Sequence, residues 1–159
     1  MNPMLIHATN DFAADVPTVF AMLLDPVFLR AACLAAEPLD HSVQVDGLHT
    51  ASTRVMPTPS VAARFTGPTM SVTDEIVWVP GDGPTRSGTA RISVDGLPAE
   101  LLGSVNLAPG GRGSVLTYEG NLEVKVPVLG PSLAKQAAPV LLEALALQQQ
   151  VGDQYLARS

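Results

Sequence analysis

The sequence predicts an α+β chain: a curved antiparallel sheet of about seven strands, one long C-terminal helix, and two short helices after the first strand. Three observations carry that expectation. From Val128 to Ser159, Leu129, Leu133, Ala137, Val140, Leu141, Ala144, Leu145, Gln148, Val151 and Tyr155 recur at steps of three and four. That is the apolar stripe of a long amphipathic helix. Between Leu39 and Val126 the pattern changes to period two, which belongs to strands with one apolar face. Turn signals punctuate that stretch at short, regular intervals, so consecutive strands join as hairpins and the sheet is antiparallel.

The elements follow in order. Met4 to Phe12 is the first strand, with Ile6, Ala8, Asn10 and Phe12 on one face. Asp15 caps a short helix from Pro17 to Leu24, with Pro17 suited to its first turn. Val19, Phe20, Leu23 and Leu24 form its buried side. Asp25-Pro26 opens a second short helix to Ala35. Leu39, His41, Val43 and Val45 then alternate with polar residues up to Asp46-Gly47, a strong hairpin signal. Leu48 to Val55 returns, and Met56-Pro57-Thr58-Pro59 interrupts it, because proline has no N–H for a ladder. Ser60 to Phe65 fits a helical turn or an irregular strand.

Thr69 to Val79 is a strand with Met70, Val72, Asp74, Ile76 and Trp78 on one face. Arg86 to Val94 follows, with Gly88, Ala90, Ile92 and Val94 inward. Asp95-Gly96-Leu97-Pro98 turns into Glu100 to Leu107. Gly110 to Gly113 joins two antiparallel strands and precedes no helix, so it is a hairpin turn and not a phosphate loop. Ser114 to Val126 is the last strand, with Leu116, Tyr118, Leu122, Val124 and Val126 inward. Gly130-Pro131 starts the long helix, and Pro139 either kinks or divides it. A long twisted sheet bent around one helix leaves space between them, which the small residues Gly88, Ala90 and Gly103 are expected to widen.

Composition narrows the function. The chain has 159 residues, 47% apolar and only 15% charged, and reads as one domain over 1–159. The charged share is well below the roughly 25% of an average soluble domain, so the apolar load must be buried in a core or around a cavity. The net charge of −6 and the lack of a basic run exclude a nucleic-acid backbone as partner and argue against docking on anionic lipid. No stretch reaches the about 18 apolar residues of a membrane span, and the N-terminus lacks a signal-peptide pattern. A cytoplasmic protein that does not insert stably in a membrane, monomeric or homodimeric, is the expectation.

Candidate site residues are few. His41 shares a face with Val43 and Val45 and could orient a ligand or act as a base. His7 and His49 fall on polar faces, and no histidine pair has metal-ligand spacing, so neither a metal nor another cofactor is expected. Asp74 and Glu75 point to opposite faces and cannot be a carboxylate pair. A buried Asp74 needs a partner, and an ion pair to Arg54, Arg64 or Arg86 is expected over a role as general acid. Trp78 and Tyr118 each join a large apolar surface to one polar handle, which suits either a cavity wall or a core. Met56 and Met70 could shape an adaptable apolar wall. Leu141 and Gln148 lie on the helix stripe, with Gln148 expected at the cavity mouth. Cys33, the single cysteine, falls in an apolar helical pattern and reads as a small buried hydrophobe.

The element order resembles the helix-grip fold of the START-like, or SRPBCC, superfamily, which includes polyketide cyclases, plant Bet v 1-like proteins, lipid-transfer domains and co-chaperone domains. More narrowly, the chain is similar to the uncharacterised actinobacterial family DUF2505. The resemblance rests on Asp11 to Asp25 (DFAADVPTVFAMLLD), Ser71 to Pro80 (SVTDEIVWVP), Tyr118 to Gly130 (YEGNLEVKVPVLG) and the helix through Leu156. The EVKVPVLG junction into the helix is the most specific of these. The resemblance brings no catalytic motif with it. Three functions stay open: a binding protein with an apolar cavity for a lipid, polyketide-like or isoprenoid-like molecule; a cofactor-free cyclase or hydrolase of a hydrophobic substrate, using His41 or Asp74 to move protons; and a partner-binding scaffold with a filled core.

Overall fold

The computed structural model describes residues 4–60 and 63–158. Along the chain run β1 (Met4–Phe12), α1 (Val16–Leu23), α2 (Pro26–Ala35), β2 (Asp40–Asp46), β3 (His49–Pro57), α3 (Ala63–Thr66), β4 (Thr69–Trp78), β5 (Arg86–Val94), β6 (Leu97–Gly110), β7 (Gly113–Val124) and α4 (Gly130–Arg158). The strands form a single antiparallel sheet in the order β1-β7-β6-β5-β4-β3-β2. β2 to β7 are a meander, and β1 closes against β7 from the far end of the sequence. This is the helix-grip arrangement.

The short helices sit where capping chemistry starts them. The Asp15 carboxylate accepts from the Thr18 N–H at 3.1 Å, and Asp25 accepts from Val27 N–H at 2.9 Å. Each satisfies a donor that has no partner inside its helix. Asp25 also accepts a 2.5 Å hydrogen bond from the Tyr155 hydroxyl on α4, so one carboxylate caps α2 and ties down the end of the long helix. Those two bonds, the tyrosine's first, hold the Asp25 carboxyl below its ordinary range. The Phe28 and Tyr155 rings meet edge to face with centroids 6.0 Å apart beside this bond. Asp25→Ala should therefore lower stability by about 1–2 kcal/mol, read as a lower urea midpoint with an unchanged m-value.

Several turns differ from the sequence expectation by one or two residues. The first hairpin loop is Gly47-Leu48, with Asp46 paired to His49. Gly47, not Asp46, takes the left-handed backbone (φ +59°), so Leu48 lies in the turn. Leu39 precedes β2 and is 63% exposed, not part of an inner face. Pro57 still pairs with Thr69 at the end of β3, where its missing N–H costs no central bond. Leu97 and Pro98 belong to β6, with a register shift at Ser93/Val94. Of the two forms that fit Ser60 to Phe65, the helical one is found from Ala63 on, in α3; Val61 and Ala62 lie outside the described residues.

The long helix is one element with Pro139 inside it. Proline removes the bond to the carbonyl four residues back. Lys135 and Pro139 are both exposed, so the freed carbonyl is on the side that water reaches. α4 grips the sheet at its two ends. Near its start, Leu133, Ala134 and Ala138 pack with Ile6, Leu101, Leu122, Val124 and Val126. Near its end, Val151 packs with Phe12, Val16, Val19, Met22, Phe28, Trp78, Leu107 and Leu116. Gly152 is buried there because a Cβ would sit 2.3 Å from the Phe12 ring. Gln149 finishes the contact: its Oε1 accepts from Asp11 N–H at 2.6 Å, and its Nε2 donates to the Asp11 carbonyl.

Gly88 and Gly103 do not widen the interior. A Cβ at Gly88 would lie 2.6 Å from the Val77 carbonyl oxygen, and one at Gly103 would lie 2.0 Å from that of Glu119. These glycines admit a neighbouring strand, not a ligand, and Ala90 belongs to the packed core.

Candidate functional site

Between its two anchored ends α4 stands off the sheet. Val140 is 55% exposed although it lies on the apolar stripe. Beneath this middle section is a cavity of about 510 Å³. Its floor is the inward face of the sheet: Met56 and Met70, which are paired across β3 and β4, then Val72, Ile92, Leu101, Leu122 and Val124. Its roof is Leu133, Ala137, Leu141, Ala144 and Leu147 of α4. The wall is therefore built by period two on the strands and by the three-four spacing on the helix. Polar side chains reach it at Arg54, Glu100, Gln136 and Glu143.

Further along the same strands lies a second, water-sized cleft of about 30 Å³, lined by Leu23, Leu29, Thr50, Ser52, Asp74, Ile76, Tyr118 and Gln148. Gln148 Nε2 donates to the Tyr118 hydroxyl oxygen at 2.9 Å. That leaves the phenol's own proton free to donate. Burial, with the Asp74 carboxyl as a further cause, pushes the phenol well above its ordinary pKa. Asp74 is raised from 3.8 to about 6, chiefly by burial, with Arg54 pulling the other way and Glu75 adding to the rise. The expected ion pair to Asp74 does not form among the described residues. Arg64 lies over the Phe65 ring. Arg86 lies over Phe20 and donates to the Gly83 carbonyl. Arg54 acts on Asp74 only at a distance.

The structure thus distributes the sequence-derived candidates. Met56, Met70 and Leu141 line the large cavity; Asp74, Tyr118 and Gln148 line the cleft. Gln148 is half-buried and lines the cleft, not the large cavity. His41 stands on the edge strand opposite Arg54 and lines neither void. Trp78 is in the closed core, edge to face with Phe20 at 5.2 Å, and its indole N–H has no partner among the described residues. His7 and His49 lie on the outer face beside Glu119 (3.4 Å) and Glu75 (3.1 Å). Cys33 is buried, and burial pushes its thiol up. Among the described residues no His, Cys, Asp and Glu cluster could hold a metal ion, and no single helix is long and apolar enough to cross a membrane. Sequence reasoning missed Arg54 as a wall residue. Its signal was its place two residues before Met56 on a period-two strand.

Comparison with known proteins agrees with this architecture. A family described as a protein of unknown function, DUF2505, matches residues 7–156. The chain belongs to this family. DUF2505 here has the START-like, SRPBCC fold. A structure from Thermus thermophilus, TTHA0849, is similar with a TM-score of 0.68 at 18% identity, covering 98% of this chain and 99% of that one. The Zhui aromatase/cyclase from Streptomyces sp. R1128 is similar with a TM-score of 0.65 at 12% identity, covering 98% and 94%. A START superfamily protein from Mycobacterium smegmatis gives 0.56 at 15% identity, covering 96% and 98%. No curated protein matches the chain.

Proposed function

We propose that this DUF2505 chain binds a hydrophobic small molecule (lipid, polyketide-like or isoprenoid-like) in the cavity under α4. One observation carries the reading: a space of about 510 Å³, walled largely by aliphatic and methionine side chains, opens between a sheet and a helix that are otherwise well packed. That volume lies within the roughly 300–1,000 Å³ of small-molecule sites. A core left unfilled at this scale forfeits contacts that any scaffold would gain by collapsing. The scaffold reading called for a filled interior and is disfavoured on that ground.

A second reading has its own support. Asp74, Tyr118 and Gln148 put a carboxyl whose pKa is raised to about 6 and a phenol whose own proton is free to donate in one cleft, further along the strands that floor the cavity. Such a pair could move a proton on a substrate carbonyl in a cofactor-free reaction, and the likeness to the Zhui aromatase/cyclase is compatible with that.

Titration with a neutral fluorescent probe, N-phenyl-1-naphthylamine, tests the cavity. We expect saturable binding of one probe per chain, weakened at least about ten-fold by Ala144→Trp, whose indole would occupy apolar wall area the probe otherwise covers. Circular dichroism checks that the variant is folded. Binding that ignores the tryptophan would place the probe elsewhere and sink the reading. Organic extraction of protein purified from its own host, followed by mass spectrometry, would then identify the natural occupant.

A further inference from the structure

We propose that the occupant is an amphipathic anion, an apolar body ending in a single carboxylate, and that the Arg54 guanidinium holds that carboxylate. This rests on the cavity reading above and adds the chemistry of the ligand's polar end.

The inference starts from what Arg54 lacks. Four other arginines find acceptors or rings: Arg91 pairs with Glu100, Arg112 with Asp153, Arg86 with the Gly83 carbonyl and the Phe20 ring, and Arg64 with the Phe65 ring, while Arg30 and Arg158 are exposed to water. Arg54 is half-buried and lines the cavity, yet among the described residues no hydrogen bond, ion pair or ring contact engages its guanidinium. Five N–H donors in a fixed fork are left with no protein acceptor. Leaving such donors partly desolvated is costly, and a carboxylate that takes two of them relieves the cost.

The register explains why Arg54 stays unpaired. On the inward face of β3 and β4 it stands opposite Val72, while Asp74 stands opposite Ser52. Arg54 and Asp74 are thus diagonal neighbours, within reach for a long side chain. They nevertheless line different voids, Arg54 the large cavity and Asp74 the cleft, and do not come within ion-pair distance. On the other side His41 stands opposite Arg54. Of the acidic residues on the cavity wall, Glu100 is engaged by Arg91 at 2.5 Å and Glu143 is exposed on α4. The guanidinium is therefore a cation on an apolar wall, with the fork geometry that suits a planar carboxylate. A single arginine beside two acidic residues, in a chain of net charge −6, favours a monoanion over a dianionic phosphate head.

The test compares cis-parinaric acid with its methyl ester, which shares the chain and lacks the charge. Wild type should bind the acid at least about ten-fold more tightly than the ester. Arg54→Gln should weaken the acid about ten- to a hundred-fold and leave the ester within about three-fold, and Arg54→Lys should recover part of the loss. The ester serves as the internal check that the variant still folds and keeps its cavity. Equal affinity of acid and ester for wild type, or equal loss of both in Arg54→Gln, overturns the anchor. If Ala144→Trp then abolishes both, the cavity reading survives without it. If neither probe binds wild type, both readings fall. Acid binding that survives Ala144→Trp but not Arg54→Gln would put the anion outside the cavity and overturn the proposal as stated.

Discussion

Asp74→Asn should stabilise the protein by about 3 kcal/mol at pH 8 and by almost nothing at pH 3. The folded chain raises the Asp74 pKa from 3.8 to about 6, so folding disfavours the ionised form. Below about pH 3 the carboxyl is protonated in both states and carries no penalty. As pH rises from about 4 to about 6 the unfolded chain releases this proton first, the unfolded state binds fewer protons, and stability falls. Above about 6 both states are ionised and the penalty is constant, about 1.36 kcal/mol for each tenfold in the proton affinity. Asparagine keeps the shape of the neutral acid and removes the titration. Urea unfolding of both proteins at the two pH values measures the effect. A stability difference that does not change with pH would show that Asp74 is no more disfavoured as an anion inside the fold than outside it.

Gly103→Ala should destabilise the protein by about 3 kcal/mol, a fall in Tm of about 6–12 °C for a chain of this size. Gly103 of β6 pairs directly with Gly120 of β7, near the middle of the sheet. A Cβ there would stand 2.0 Å from the Glu119 carbonyl oxygen and 2.5 Å from the Gly120 Cα. Both are backbone atoms held by the ladder, so no side chain can rotate away. Gly81→Ala is the control, since its Cβ would meet nothing within 4 Å, and a change within about 0.5 kcal/mol is expected. A Gly103→Ala protein that melted with wild type would mean that β6 and β7 can part at that pair without loss.

The scaffold was legible because its signals are local. Period two placed Ile6, Asn10 and Phe12 on one face of β1, and all three are buried. Asp15 caps the first short helix as its residue type suggests, and Asp25-Pro26 opens the second, where Asp25 also proves to be a cap. The site was less legible, because it depends on which faces meet. The stripe through Val140, Leu141 and Ala144 has the same spacing as the stripe through Leu133 or Val151, yet one part roofs a cavity and the others fill a core. Periodicity says that a face is apolar; only tertiary distance says whether anything touches it. The glycines misled for a related reason. A missing side chain can leave room for a ligand or for the next strand, and at Gly88 and Gly103 the strand takes it. From the sequence Arg54 reads only as a partner for Asp74, although its place two residues before Met56 already sets it on the face that floors the cavity.

The hydrogen bonds from Gln149 to Asp11 have a consequence for growth of the sheet. An open sheet has two outer strands whose free backbone groups can recruit another chain. At β1 the Gln149 amide already occupies both the N–H and the carbonyl of Asp11, acting as a one-residue surrogate strand. At β2 protection comes from charge. Two copies of β2 joined antiparallel about Val43 would set Asp40 of each against Asp46 of the other, like charges face to face at both ends of the seam. One edge is blocked at Asp11 and the other is repulsive, so strand addition is discouraged at the two ends of the sheet by two unrelated means.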